Sequence, residues 1–169
     1  MIFAKPSPEE ALDQGDIIDG RPILSVASFD LDHLDTLQTR HTLSRVIVLT
    51  QTCDLANLKV TRVVTAVVLD AHSLVEQQLL KAADIRGPIR AGRVYGWYYL
   101  PRNVEHGLPE SIVDLGQLHL VRLELITALC RRGQRQWRAR LQPLYREHLA
   151  KHFADTYSRI GLPQPYETE

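Results

Sequence analysis

Only two cysteines, Cys53 and Cys130, and one methionine occur in the 169 residues. Two thiols so far apart exclude a disulfide framework, and the paired-cysteine pattern of a zinc site is missing. No apolar run approaches the roughly 20 residues that cross a bilayer. The opening MIFAKPSPEE has a short apolar patch followed by prolines and acids, unlike a secretory signal, so the expectation is a cytoplasmic protein without a membrane partner. Internal repeats and low-complexity tracts are lacking. So is net charge: Lys+Arg and Asp+Glu both number 20, whereas a dedicated nucleic-acid binder usually carries a basic total.

What is present suits one globular domain with a sizeable core: 44% hydrophobic and 24% charged residues. The charges are unevenly spread. Glu9, Glu10, Asp13, Asp16, Asp19, Asp30, Asp32 and Asp35 crowd the first forty positions. Arg122, Arg131, Arg132, Arg135, Arg138, Arg140, Arg146 and Lys151 crowd the stretch from Leu120. Either the basic part meets phosphates, or the two parts satisfy each other within the fold or across a dimer.

The centre of the chain, Arg45 to Ala71, reads as two apolar strands, Val46–Thr50 and Arg62–Leu69, joined by a polar loop. Before it come an N-terminal arm (1–14), a short strand at Ile17-Ile18, an Asp19-Gly20 turn, a strand piece Pro22–Val26, and a long polar connection Ser28–Ser44. A connection of that length is a lid, a binding loop or disordered, and its leucine spacing allows a short helix. After the centre, Ser73–Arg86 reads as a helix capped by Ser73 with Glu76 at the capping-box distance. Tyr95–Leu100 and Ser111–Leu115 read as strands and Leu120–Arg132 as a helix. Gln136–Leu141 is a strand or helix lead-in. Pro143 opens a final helix to about Ile160, closed by Gly161 and Pro163. Strands early and helices late argue an α+β domain, a bent antiparallel sheet or small barrel with helices at one side.

Four features carry chemistry, each beside a plainer reading. In Gln51-Thr-Cys53-Asp54-Leu55 a thiol beside a carboxylate suits a nucleophile or a metal ligand, but no histidine base is close in sequence. Otherwise Cys53 packs inward while Asp54 and Asn57 shape the turn. His148 and His152 stand one helical turn apart, a spacing that suits a shared metal. They lack the adjoining glutamate of zinc hydrolases and flank an apolar stripe, which favours packing; no metal site and no cofactor are expected. Tyr95, Trp97, Tyr98 and Tyr99 either stack on bases or fill the core. Asp114, Gln117 and His119 follow a strand and either read a substrate or line an ordinary loop. Cys130, on its helix, reads as a buried thiol.

The order of these features resembles the MazF/PemK family of endoribonuclease toxins. The residues concerned are the Gly15-Asp16-Ile17-Ile18 opening, the arginine-led strand Arg45-Val-Ile-Val-Leu-Thr-Gln51, the second strand through Ala71, Leu100-Pro101, Gly107-Leu-Pro-Glu-Ser-Ile-Val113, the Gln117-Leu-His119 step, and the closing helix into Ile160-Gly161-Leu162. The resemblance covers Gly15 to Leu162 and implies a small SH3-like, PemK-like β-barrel with C-terminal helices over 15–163, followed by a tail (164–169). It also implies a homodimer, RNA as a partner, and an antitoxin or another protein as a regulator. Family chemistry is attack of an RNA 2′-hydroxyl on its phosphate, which needs a proton acceptor and a cation. On that basis Arg45 is the phosphate-binding arginine, His41 or His119 transfers protons, and Gln51 and Gln117 position the nucleotide. Asp70 stands near the family's threonine position, His119 replaces the family's second arginine, and Val46 replaces a proline. Two readings compete with a toxin-like or RNA-binding relative: a non-catalytic interaction or regulatory module on the same barrel, and an enzyme centred on Cys53 and Asp54.

Overall fold

The structure, a computed structural model, describes residues 1–7, 9–131 and 137–158. Its elements are β1 (Phe3–Ala4), β2 (Asp16–Ser28), β3 (Gln38–Val48), α1 (Thr52–Ala56), β4 (Arg62–Asp70), α2 (Ala71–Glu76), α3 (Ala82–Asp84) running into a π-helical turn Ile85–Ile89, β5 (Trp97–Leu100), β6 (Ser111–Arg122), α4 (Leu123–Arg131), β7 (Trp137–Leu141) and α5 (Pro143–Tyr157). The chain is α+β. Its strands form one 7-stranded antiparallel sheet in the order β1-β7-β2-β3-β4-β6-β5.

The central strands are apolar without alternation because both of their faces are buried. Ile17, Ile47, Ala66, Val113, Leu115 and Ala139 face a cluster shared with Phe3, Tyr98, Leu100 and Leu149 of α5. Their neighbours Ile18, Val46, Val48, Val67 and Val121 face the other way, under Leu12, Leu55 of α1, and Ile126 and Cys130 of α4. A third cluster seats α2 and the π-turn, through Ala71, Leu74, Ile85 and Ile89, on Ile112 of β6. Cys130 is buried as expected, and burial, followed by the nearby Asp16 charge, pushes its thiol up to about 11.

The expected barrel is not closed. Among the described residues β1 and β5 are free edges of an open sheet. Both edges reach the same apolar cluster, yet a cleft of about 280 Å³ separates Ile2 and Leu141 from Tyr98 and Leu100. Tyr145 and His148 of α5 line that gap, and the Tyr98 hydroxyl donates to the Tyr145 carbonyl at 3.2 Å. A helix stands where edge-to-edge hydrogen bonds would have to form.

Other expectations change too. The connection Ser28–Ser44 is strand at Ser28 and from Gln38 on: β2 and β3, 13 and 11 residues long, form one hairpin, with a 3₁₀ turn at Leu34–Thr36 near its tip. The helix expected over Ser73–Arg86 is broken. Gln78 takes a left-handed φ of 58° after α2, and Asp70 rather than Ser73 is its N-cap. β6 runs on to Arg122, through residues read as a loop and the start of α4. The residues expected to close α5, Gly161 and Pro163, and the tail lie outside the described residues.

The acidic and basic ends meet inside the fold. Asp16, fully buried, accepts from Arg140 Nε at 2.6 Å and Nη2 at 3.0 Å. The same guanidinium reaches Glu10 at 2.8 Å and the Ala11 carbonyl at 2.7 Å, and Arg146 pairs with Asp13 at 2.6 Å. Burial raises Asp16 to about 6 although Arg140 opposes it, so the pair is charged at neutral pH. For Arg140 burial works against the charge, but the carboxylates around it win and raise it further.

Folding therefore takes up a proton at Asp16 between its ordinary 3.8 and about 6. The stability this group contributes is complete below that window and lost as pH rises through it. Arg140→Met leaves the carboxylate buried and unpaired at pH 7, and should cost about 3 kcal/mol in urea unfolding. The penalty should shrink when the titration is repeated below pH 6, where Asp16 is neutral.

Candidate functional site

The residues singled out from the sequence do not converge on one cleft. Arg45 opens the core-facing part of β3, opposite Val68. Across from it β2 bulges: Ile18 pairs with Val46 and Arg21 with Ser44, so Asp19 and Gly20 together face Arg45. Gly20 adopts a φ of 68°, and the bulge aims Asp19 at the guanidinium, which it grips through Nε and, at 3.2 Å, Nη2. The cation expected to meet phosphate is already answered by a carboxylate.

Asp70 is occupied as well. Its Oδ1 accepts the Ser73 amide at 2.9 Å and caps α2. His119 lies on β6 opposite Thr65, whose hydroxyl donates to the His119 carbonyl at 3.1 Å. Burial and then the Arg21 charge lower its pKa, which keeps the imidazole neutral at pH 7. His41 is exposed on the far part of β3, opposite Leu24. Thr65 faces Val48, and Val48 is about 23 Å along β3 from His41 at ~3.3 Å per residue. The two histidines cannot serve one phosphate.

The Gln51–Leu55 stretch is a single helical turn, α1. Leu55, not Cys53, packs inward; Cys53 is exposed. Its thiol has only acceptors beside it, Gln51 Oε1 at 3.6 Å and Asp54 Oδ1 at 3.9 Å. Asn57 closes the turn by donating to the Cys53 carbonyl at 2.7 Å, and Lys59 N donates to the Asp54 carbonyl at 3.0 Å. Gln117 donates to Asp114 Oδ2 at 2.9 Å while Asp114 Oδ1 accepts from Gly116 N at 2.9 Å. Together they hold the irregular part of β6, where pairing with β4 skips from Asp114 to Leu118.

His148 contacts the Tyr98 hydroxyl at 3.2 Å, and His152 Nε2 contacts the carbonyls of Trp97 at 3.0 Å and Val94 at 3.2 Å. Among the described residues no three side chains are grouped to hold a metal ion. The aromatic strand packs on both sides: Tyr98 joins the first core cluster, and Trp97 and Tyr99 lie against the third.

What sequence reasoning missed is the hairpin itself. β7 pairs with β2 only over Asp16–Ile18, and β4 pairs with β3 only over Arg45–Val48. Among the described residues the ribbon from Arg21 to Ser28 and from Gln38 to Ser44 has two strands and two unpaired edges. Cross-strand partners share a face. Pro22/Leu43, Leu24/His41 and Val26/Thr39 therefore form one face, continuous with the side on which Arg45 lies. Leu24, Val26 and Leu43 on that face, and Phe29, Leu31 and Leu37 at the tip, are all exposed, Leu31 by 77% and Leu43 by 69%. Asp30, Asp32 and Asp35 add negative charge at the tip. The sequence signal was available in the Thr39-Arg-His-Thr-Leu-Ser44 run, rich in β-formers, but its polarity reads as loop.

Asp70→Ala should lower stability by about 1 kcal/mol through loss of the α2 cap, whereas Asp70→Asn should keep most of it; thermal melts of the two variants distinguish a cap from a dispensable carboxylate. No family model matches the chain, and comparison with the curated proteins and with the solved structures found no match for it.

Proposed function

We propose that the chain is a non-catalytic protein-interaction module, a divergent MazF/PemK-like protein that grips a protein partner with the β2–β3 arm. The observation that carries this is the arm's exposed apolar face on a two-stranded ribbon with open edges. A free ribbon of that kind is only marginally stable in water. Contiguous exposed apolar surface marks a contact site, and open strand edges invite an added strand. The separation of His41 from His119, the engagement of Arg45 by Asp19 and the use of Asp70 as a helix cap support the non-catalytic reading over a toxin-like endoribonuclease. The partner is an antitoxin-like protein, another regulator or a second copy of the chain. The acids at the tip favour a basic rim on whatever it meets.

The triple variant Leu24→Ser, Phe29→Ser, Leu43→Ser removes apolar surface without touching the core. It should keep the wild-type melting temperature within a few degrees and lose association, read as partner capture and as mass against concentration. If the wild-type chain cleaves RNA and Arg45→Ala abolishes cleavage, the toxin-like reading replaces this one.

A further inference from the structure

A second feature of the fold, independent of the arm, points to a small-molecule site. A cavity of about 640 Å³ opens between the β4–α2 junction, the π-helical turn and the β5–β6 loop. Its size lies in the range of small-ligand pockets. Apolar contacts come from Ile85 and Leu108, both buried. Arg86 enters from the π-turn and Arg102 from the loop after β5. Neither guanidinium has an acidic partner or a hydrogen-bond acceptor among the described residues, in contrast with Arg45, Arg140 and Arg146, which are all paired. π-helical turns recur at functional sites, and this one, with Pro88 inside it, carries Arg86.

Opposite charges share the cavity in an ordered way. Asp70 has Oδ1 committed to the Ser73 amide, and Glu110 has Oε1 committed to the Tyr99 hydroxyl at 2.7 Å. Each carboxylate is thereby oriented, with its second oxygen unengaged. Carboxylates held this way accept from hydroxyl groups, while guanidiniums pair with oxyanions. The β5–β6 wall is stiffened by an isolated bridge between Asn103 and Leu108 and by the His106 amide donating to Asn103 Oδ1 at 2.9 Å. His106, in the same loop, is 7% exposed with both ring nitrogens lacking a partner among the described residues, and it does not line the cavity.

We propose that this cavity binds a small hydroxylated phosphate monoester, the chemistry of a sugar phosphate, with the phosphate at Arg86 and Arg102 and hydroxyls at Asp70 and Glu110. Mixed charge makes the site selective. Bare phosphate is drawn by the arginines but repelled by the two carboxylates, and a neutral sugar leaves the arginines unanswered.

Calorimetric titration of the full chain with ribose 5-phosphate, inorganic phosphate and ribose tests this. The sugar phosphate should bind saturably at one site, about tenfold or more tighter than inorganic phosphate, with no measurable ribose binding. The double variant Arg86→Gln, Arg102→Gln alters exposed side chains and should keep its melting temperature while losing binding. Glu110→Gln should weaken the sugar phosphate but not inorganic phosphate. The arm triple variant should bind as wild type, which separates this site from the arm. Absence of saturable sugar-phosphate binding, inorganic phosphate binding as tightly as the ester, or unchanged affinity in the double variant each overturns the proposal.

Discussion

The ion pair of Asp16 with Arg140 is the contact on which the rest of the sheet depends. It joins the start of β2 to β7 at the register position where those residues are also Cα partners. Around it the backbone has no slack. Gly15, at a φ of 83°, donates to the Val48 carbonyl at 2.9 Å and accepts from the Leu141 amide at 3.1 Å, and a Cβ there would stand 3.0 Å from the Leu141 Cβ. Only glycine meets both demands. Through this one junction β1, β7, β2 and the end of β3 are brought together, and Arg140 also holds the N-terminal segment through Glu10 and Ala11. A buried pair of this sort is a weak source of net stability, but removing one partner leaves the other charge buried and uncompensated.

Apolar burial then does the bulk of the stabilising. Two sheet faces are covered, one by α5 and the other by α1, α4 and Leu12, so the central strands are sealed on both sides. The hairpin escapes this arrangement. Where β7 and β4 stop pairing, β2 and β3 continue alone, and the side chains that would extend the first core cluster emerge into solvent instead. The same bulge that turns Asp19 onto Arg45 marks the point of departure.

The central strands, the aromatic strand, Pro143 at the start of α5 and the meeting of acidic and basic ends could be read from the sequence, because each rests on composition or on a local rule. The open edges could not, since closure depends on whether α5 occupies the gap, a contact between Tyr98 and Tyr145 that no local pattern encodes. The hairpin was hidden because Leu24, Val26 and Leu43 are exposed on one face and the other face, apart from the buried Ile23, is polar, so burial imposes little alternation on it. The break after α2 rests on a left-handed glutamine, Gln78, a choice that residue type does not announce. Among the site residues, Arg45 and Asp70 were marked by the family resemblance alone. Their partners, Asp19 across a bulge and Ser73 in the next helix, were not, and those partners decide their roles. Arg86 and Arg102 stand out only in the fold, which brings them from separate segments to one cavity.

The sequence separation of the Asp16–Arg140 pair has a consequence in time. The two residues are 124 positions apart, and at synthesis rates of roughly 5–20 residues per second the carboxylate waits on the order of 6–25 s for its guanidinium to be made. Until then β2 has neither β7 beside it nor a counter-charge for Asp16. The nascent chain can pair β2 with β3 as a local hairpin, but it must hold that hairpin open at one edge until β7 has been translated.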